Sequence, residues 1–183
     1  MKIFISGGCK VGKSYYAQRF AKAQWASRLY YVATMKPVDG EDDERIERHR
    51  KERDGWGFVT IEQPVDVENI LNKCDSGGSF LLDSLTGLLT NEMFLSDGGV
   101  NEQAAGKVIA GLSTVLNSIG NIVIVSDYIY SDAMIYDPLT EQYRASLAEI
   151  DRMAARRCDV ALEVVYAQII IHKGKDVAEL EIY

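Results

Sequence analysis

The sequence predicts an α/β protein, a three-layer sandwich on a mainly parallel central sheet, and three observations carry that prediction. Short apolar runs alternate with segments of helical spacing along most of the chain, the order of strand–helix–strand units. The runs Phe80-Leu81-Leu82 and Ile122-Val123-Ile124-Val125 are continuously apolar, as strands covered on both faces are. The first run, Ile3-Phe4-Ile5, passes through a glycine-rich loop into Tyr15, Ala17, Phe20 and Ala21 at helical spacing.

The remaining elements follow in order. Leu29-Tyr30-Tyr31-Val32-Ala33 is a second strand, ending at Thr34. From Glu41 to Arg53 the one aliphatic side chain is Ile46, yet good helix formers run from acids at the start to bases at the end. That pattern predicts a polar helix lying on the surface or across an interface, because it has almost no core face. Gly55 and Gly57 then break the chain. Phe58 to Ile61 is a short strand, and Val65 to Lys73 a helix with Val67, Ile70 and Leu71 on its apolar side. Ser76-Gly77-Gly78 is a turn before the strand that ends at the carboxylate of Asp83. Leu85, Leu88, Leu89, Met93 and Phe94 have helical spacing, Ser96 to Gly99 is a loop, and Ala104 to Ile119 is a helix. Asp137-Pro138 opens a helix that runs to Arg157, and strands at Val160–Val165 and Gln168–His172 follow.

Bulk properties narrow the class. At 183 residues, with 47% apolar and 26% charged residues and no repeat or linker, residues 1–183 are expected to form one domain. A formal charge of -7 argues against general nucleic-acid binding, which relies on basic surface. No apolar run approaches the ~20 residues of a membrane helix, and because Met1 runs straight into the first strand no signal peptide is expected. Cys9, Cys74 and Cys158 stand far apart and in no metal-binding spacing, so reduced thiols and a cytoplasmic location are expected.

Gly7-Gly8-Cys9-Lys10-Val11-Gly12-Lys13-Ser14 has the G-x-x-x-x-G-K-S spacing of a phosphate-binding loop. Glycines let consecutive N–H groups converge on phosphate oxygens, and the next helix presents its positive end to them. Lys13 is expected to reach the β and γ phosphates and Ser14 to hold Mg²⁺. This makes the fold a P-loop NTPase-type sandwich that binds a nucleoside triphosphate. Asp83, an acid at the end of a core strand, is the natural second metal residue. His49 sits among Arg45, Arg48, Arg50, Lys51 and Arg53. Composition alone suits a solvated surface histidine, but a neutral imidazole among anion-binding bases also suits a nucleophile. His172 has no such company and is expected to be structural. Asn72-Lys73-Cys74-Asp75 matches the N-K-x-D guanine-recognition pattern, but it ends a helix and precedes Asp83, so the match is a coincidence.

With these residues in place, the chain resembles the bifunctional adenosylcobinamide kinase/adenosylcobinamide-phosphate guanylyltransferases of cobalamin biosynthesis. Four blocks carry the resemblance: the phosphate loop; Ala33-Thr34 followed by Asp39, Glu41, Arg45-Ile46 and His49; Thr60, Glu62 and Pro64; and Leu82-Asp83-Ser84-Leu85-Thr86 with Leu89-Thr90-Asn91. It implies two reactions. ATP or GTP phosphorylates adenosylcobinamide with Lys13, Ser14 and Mg²⁺. His49 then takes a guanylyl group from GTP and passes it to adenosylcobinamide phosphate. By the same resemblance Thr34 and Glu62 belong to the nucleotide-binding region and the protein forms a homotrimer. The second half departs from the family. Ser126 to Tyr136 replaces a glycine-rich N-E-V-G-x-G-I-V-P loop, and Ala145 follows Arg144 where an aspartate is usual. Asp151-Arg152 replaces Asn-Gln, and Tyr166-Ala167 lacks a glycine. Two other readings stay open: an enzyme using the same nucleotide machinery on another acceptor, and a nucleotide-binding regulator.

Overall fold

Continuous apolar character becomes central position in the sheet. The computed structural model describes residues 1–24, 27–36, 51 and 53–174. Its strands are β1 (Lys2–Gly7), β2 (Leu29–Ala33), β3 (Phe58–Glu62), β4 (Ser79–Asp83), β5 (Asn121–Asp127), β6 (Val160–Val165) and β7 (Gln168–Lys173). Among the described residues they form one seven-stranded sheet in the order β3-β2-β4-β5-β1-β6-β7. The first six run parallel, with Gly7 level with Asp127 and Asp83 level with Val125, and β7 returns antiparallel on β6.

Helices α1 (Lys13–Ala23), α2 (Leu85–Met93), α3 (Ala104–Ser118) and α4 (Pro138–Arg157) make the outer layers. On one face Ala17, Phe20 and Ala21 of α1 pack on Ile3, Ile5, Leu81, Val123 and Val125. On the other, Leu85, Leu88, Leu112, Val115, Leu147 and Ile150 cover Phe4, Phe80, Leu82, Ile122 and Ile124. Alternate residues of each strand therefore serve opposite layers. Each such fully buried aliphatic side chain contributes about 1.5–3 kcal/mol relative to exposure. The Asp137-Pro138 start of α4 is as expected, the Asp137 carboxylate accepting from the N–H groups of Leu139 (3.0 Å) and Thr140 (3.1 Å). No described helix is long and apolar enough to cross a membrane.

Two expectations change. The helix expected over Val65–Lys73 is a 3₁₀ helix, Val67–Asn72. Its i to i+3 bonds, Asn69 N–H to Asp66 O and Lys73 N–H to Ile70 O, put Val67 and Ile70 in line, and both are buried. At the β6–β7 turn, where the resemblance leads one to expect glycine, Tyr166 (φ 50°) and Ala167 (φ 57°) both adopt the left-handed conformation. Two positive φ values in a two-residue hairpin loop match the right-handed twist of the strands, a geometry that favours glycine or asparagine. The polar segment expected to be helical from Glu41 to Arg53 lies outside the described residues, apart from Lys51 and Arg53.

Candidate nucleotide site

The phosphate loop leaves β1 at its C-terminal end, and packing decides its first residue. A Cβ on Gly7 would lie 2.5 Å from the carbonyl oxygen of Val164 on neighbouring β6, so only glycine lets the strands close there. Lys10 (φ 59°) and Gly12 (φ 97°) turn the chain through left-handed conformations into α1. Gly12 is the N-cap residue, contributes no side-chain cap, and is followed by no acid in the first turn. The N–H groups at this helix start thus remain for an anion, with the helix dipole behind them.

Lys13 is 7% exposed and its ammonium is held by oxygen on three sides. It donates to the carbonyls of Gly7 (3.0 Å) and Gly8 and lies 2.8 Å from Asp127 Oδ1. Asp127 ends β5, the strand beside β1, and its N–H is anchored 2.9 Å from Thr86 Oγ1. Sequence reasoning missed Asp127. β5 ends in a carboxylate just as β4 does, but the pairing with β1 that brings Asp127 to Lys13 is written in no local pattern. Ser14 stands next to Lys13 in the first turn of α1, Val11 is half-buried, and Cys9 is an exposed free thiol at the loop's tip.

Asp83 ends β4, two strands from β1 and on the α1 face of the sheet. Its Oδ2 accepts the Tyr31 hydroxyl at 2.9 Å, and the guanidinium of Arg53 lies 3.5 Å from the centre of the Tyr31 ring. Burial, followed by the charge of Asp83, holds the Tyr31 hydroxyl well above the ordinary tyrosine range, so it remains a donor. Thr34 is fully buried, and its hydroxyl donates to Ser84 O and accepts from Ser84 N–H, both at 2.7 Å. Its hydroxyl therefore shapes the turn after Asp83. Asn91 donates to Thr34 O (2.7 Å) and Pro64 O (3.1 Å), tying the ends of β2 and β3 together. Glu62 is exposed at the end of β3, four strand spacings or about 19 Å along the sheet from β1.

The other sequence features fall into place. His49 lies outside the described residues. His172 pairs with Glu163 at 2.8 Å on the β6–β7 hairpin. Lys73 of the N-K-x-D match donates to Gln63 Oε1 at 2.7 Å, fixing the end of β3. The 126–136 segment is held from α4, where Arg144 bonds Ile129 O (3.1 Å), Asp132 (3.0 Å) and Glu141 (2.7 Å). Tyr130 donates to Asp151 at 3.0 Å, so two of the departures from the family pattern contact each other.

Comparisons with known proteins agree with this geometry. The model of the family described as cobinamide kinase / cobinamide phosphate guanyltransferase matches residues 3–169. The bifunctional adenosylcobalamin biosynthesis protein CobP of Pseudomonas aeruginosa is 30% identical over 160 residues, 87% of this chain and 90% of that protein. The corresponding CobU protein of Escherichia coli K12 is 35% identical over 95 residues, 51% of each chain. Among solved structures, the KaiC-like protein PH0186 of Pyrococcus horikoshii OT3 superposes with a TM-score of 0.52 at 12% identity, over 94% of this chain and 78% of that one. The ATPase domain of G40P gives 0.52 at 11% identity, over 96% and 77%. At such low identity these two likenesses speak for the P-loop sandwich and for nothing finer. A phosphate loop closed on Val164, a lysine gathered by Asp127, and a family match spanning 3–169 together lead to one conclusion: the chain belongs to the cobinamide kinase / cobinamide phosphate guanyltransferase family.

Proposed function

We propose that the chain phosphorylates adenosylcobinamide with a nucleoside triphosphate and transfers GMP from GTP to adenosylcobinamide phosphate, using residues 1–183 as one nucleotide-binding domain. The observation that carries this reading is Lys13, buried and poised at the loop that precedes α1, in a chain of this family. A bound triphosphate offers Lys13 charged oxygens in place of the Gly7 and Gly8 carbonyls, while residues 7–14 supply backbone N–H groups to the phosphates. In the kinase step the acceptor hydroxyl attacks the γ-phosphorus, the bond to the β–γ bridging oxygen breaks, and Lys13 neutralises charge on the leaving diphosphate.

The residues suit Mg²⁺ held jointly with the nucleotide. Among the described residues no group of three His, Cys, Asp or Glu side chains could hold a metal alone. Ser14 and Asp83 supply two hard oxygen ligands, and Asp83, two strand spacings or about 10 Å from β1, suits contact through water. Bound there, the ion would add Lewis-acid stabilisation of the phosphate oxygens. In the transferase step an imidazole nitrogen of His49 attacks the α-phosphorus of GTP and pyrophosphate leaves. In the sequence three residues separate His49 from Arg53, which is packed on Tyr31. Glu62, at the far end of the same sheet edge, is assigned to the nucleoside side. Trimer assembly, also proposed, would be read by light scattering.

Incubation with α-labelled GTP and Mg²⁺ should give an acid-labile protein adduct that His49→Ala abolishes. Wild-type protein that stays unlabelled would overturn the transferase assignment. The altered 126–136 loop, fixed by Arg144 and by the Tyr130–Asp151 bond, favours a second reading in which the same donor chemistry serves another acceptor. Ordinary turnover with adenosylcobinamide would eliminate it.

A further inference from the structure

Arg53 is a cation buried where an apolar residue would cost less. It is 8% exposed, and its Nη1 is buried with no hydrogen-bond partner among the described residues. Burying a guanidinium with an unmade bond is unfavourable, so packing alone does not account for it. What it does meet is the face of Tyr31, at 3.5 Å from the ring centre. Tyr31 is itself 6% exposed, is held edge-on by Phe58 at 6.2 Å between ring centres, and spends its hydroxyl on Asp83 Oδ2 at 2.9 Å. Arg53, Tyr31 and Asp83 thus form a line of buried or half-buried contacts ending at one carboxylate oxygen. A cation on the ring face draws electron density from the phenol and strengthens its hydroxyl as a donor. A strong, fixed donor on Oδ2 locks the carboxylate's rotation and leaves Oδ1 for another ligand.

We propose that Arg53 and Tyr31 are positioning residues for the reaction: Arg53 orients and polarises Tyr31, and Tyr31 holds Asp83 by Oδ2 so that Oδ1 serves the Mg²⁺–nucleotide. The inference rests on the reading of Asp83 as a metal residue and adds two residues to it. Neither residue touches the reacting atoms, so neither is catalytic.

The test is the Mg²⁺ dependence of ATP and GTP binding by the full chain, which needs no acceptor, measured with thermal melting as the control for folding. Tyr31→Phe keeps the ring and its volume and removes only the donor. It should raise the Mg²⁺ concentration at half-saturation roughly tenfold, the scale of one hydrogen bond to a charged group, while melting close to wild type. Arg53→Met should shift it in the same direction by less, Arg53→Lys should recover part of that shift, and the double variant should be no worse than Tyr31→Phe. Variants that melt as wild type with an unchanged Mg²⁺ half-saturation would overturn the relay while leaving the nucleotide site standing. Fully additive effects would overturn the claim that Arg53 acts through Tyr31. A wild-type protein whose nucleotide binding ignores Mg²⁺ would remove the metal reading and the relay with it. Should Arg53→Met fail to fold, Tyr31→Phe alone decides whether Asp83 is held this way.

Discussion

Adding one methyl group at Gly7 should damage the protein in a way that the same change one residue later does not. At position 7 the new Cβ would lie 2.5 Å from Val164 O, 3.2 Å from Val11 Cγ2 and 3.3 Å from the Lys13 Cδ; at Gly8 it meets only Val11 Cγ1, at 3.6 Å. The Val164 contact is at least about 0.5 Å too close, and both partners are backbone of paired strands, with no flexible side chain to give way. Relief requires prising β1 from β6 at their ends or pushing the loop off its path, an overpacking cost of about 1–3 kcal/mol. For a chain of this length that lowers the melting temperature by about 2–12 °C. Because the displaced loop carries Lys13, affinity for Mg·GTP should also fall at least about tenfold, or about 1.4 kcal/mol. Scanning calorimetry and titration calorimetry on Gly7→Ala and Gly8→Ala read both quantities. Gly8→Ala should stay within about 0.5 kcal/mol of wild type in stability. A Gly7→Ala protein as stable as wild type, or a Gly8→Ala protein equally destabilised, would refute the steric reasoning.

Two further outcomes follow from the second half of the chain. Burial pushes the Asp151 carboxyl up to about 7, against the opposing hydrogen bond from Tyr130. From about pH 4 to 7 the unfolded chain's carboxyl ionises while the folded one stays protonated. Stability should therefore fall as pH rises through that window, by roughly 4 kcal/mol at most, and level off above it. Asp151→Asn should flatten this slope and exceed wild-type stability at pH 8, as read by urea midpoints at pH 5 and pH 8; an unchanged slope would count against a neutral folded Asp151. Ala167→Gly should stabilise the hairpin by roughly 1 kcal/mol, since alanine sits there at φ 57°, and leave nucleotide binding unaltered. A lower urea midpoint would contradict it.

What could be read from the chain alone depended on how local the cause was. The strands around Phe80 and Ile122 were legible because burial on both faces leaves no polar alternation to mislead. The start of α4 was legible because Asp137-Pro138 is a cap and a first-turn residue side by side. Val67 and Ile70 are spaced for either helix type, and the choice of 3₁₀ was made by a six-residue span that buries those two positions. Lys13 and Ser14 were found by spacing, but Asp127 entered the site through the pairing of β5 with β1, a contact across 114 residues of chain that no local pattern encodes. Arg53 stands among the bases near His49, and nothing in that run of sequence marks it as turning inward onto Tyr31.

The insertion of β5 between β1 and β4 divides the site into a rigid half and an exchangeable one. The donor half hangs on strand register: Gly7 opposite Asp127, Val125 opposite Asp83, with Asn91 clipping the outer strands. The segment beyond Asp127 is tied to the phosphate loop at its first residue, where the Tyr128 N–H donates to Gly7 O at 2.9 Å, and is then fastened from α4 by Arg144 and by the Tyr130–Asp151 bond. Beyond Tyr128, substitutions could reshape what is brought to the phosphates without moving the groups that grip them. A lineage on this scaffold could therefore change acceptor while its nucleotide chemistry stayed put, with residues 129–136 as the place for such change.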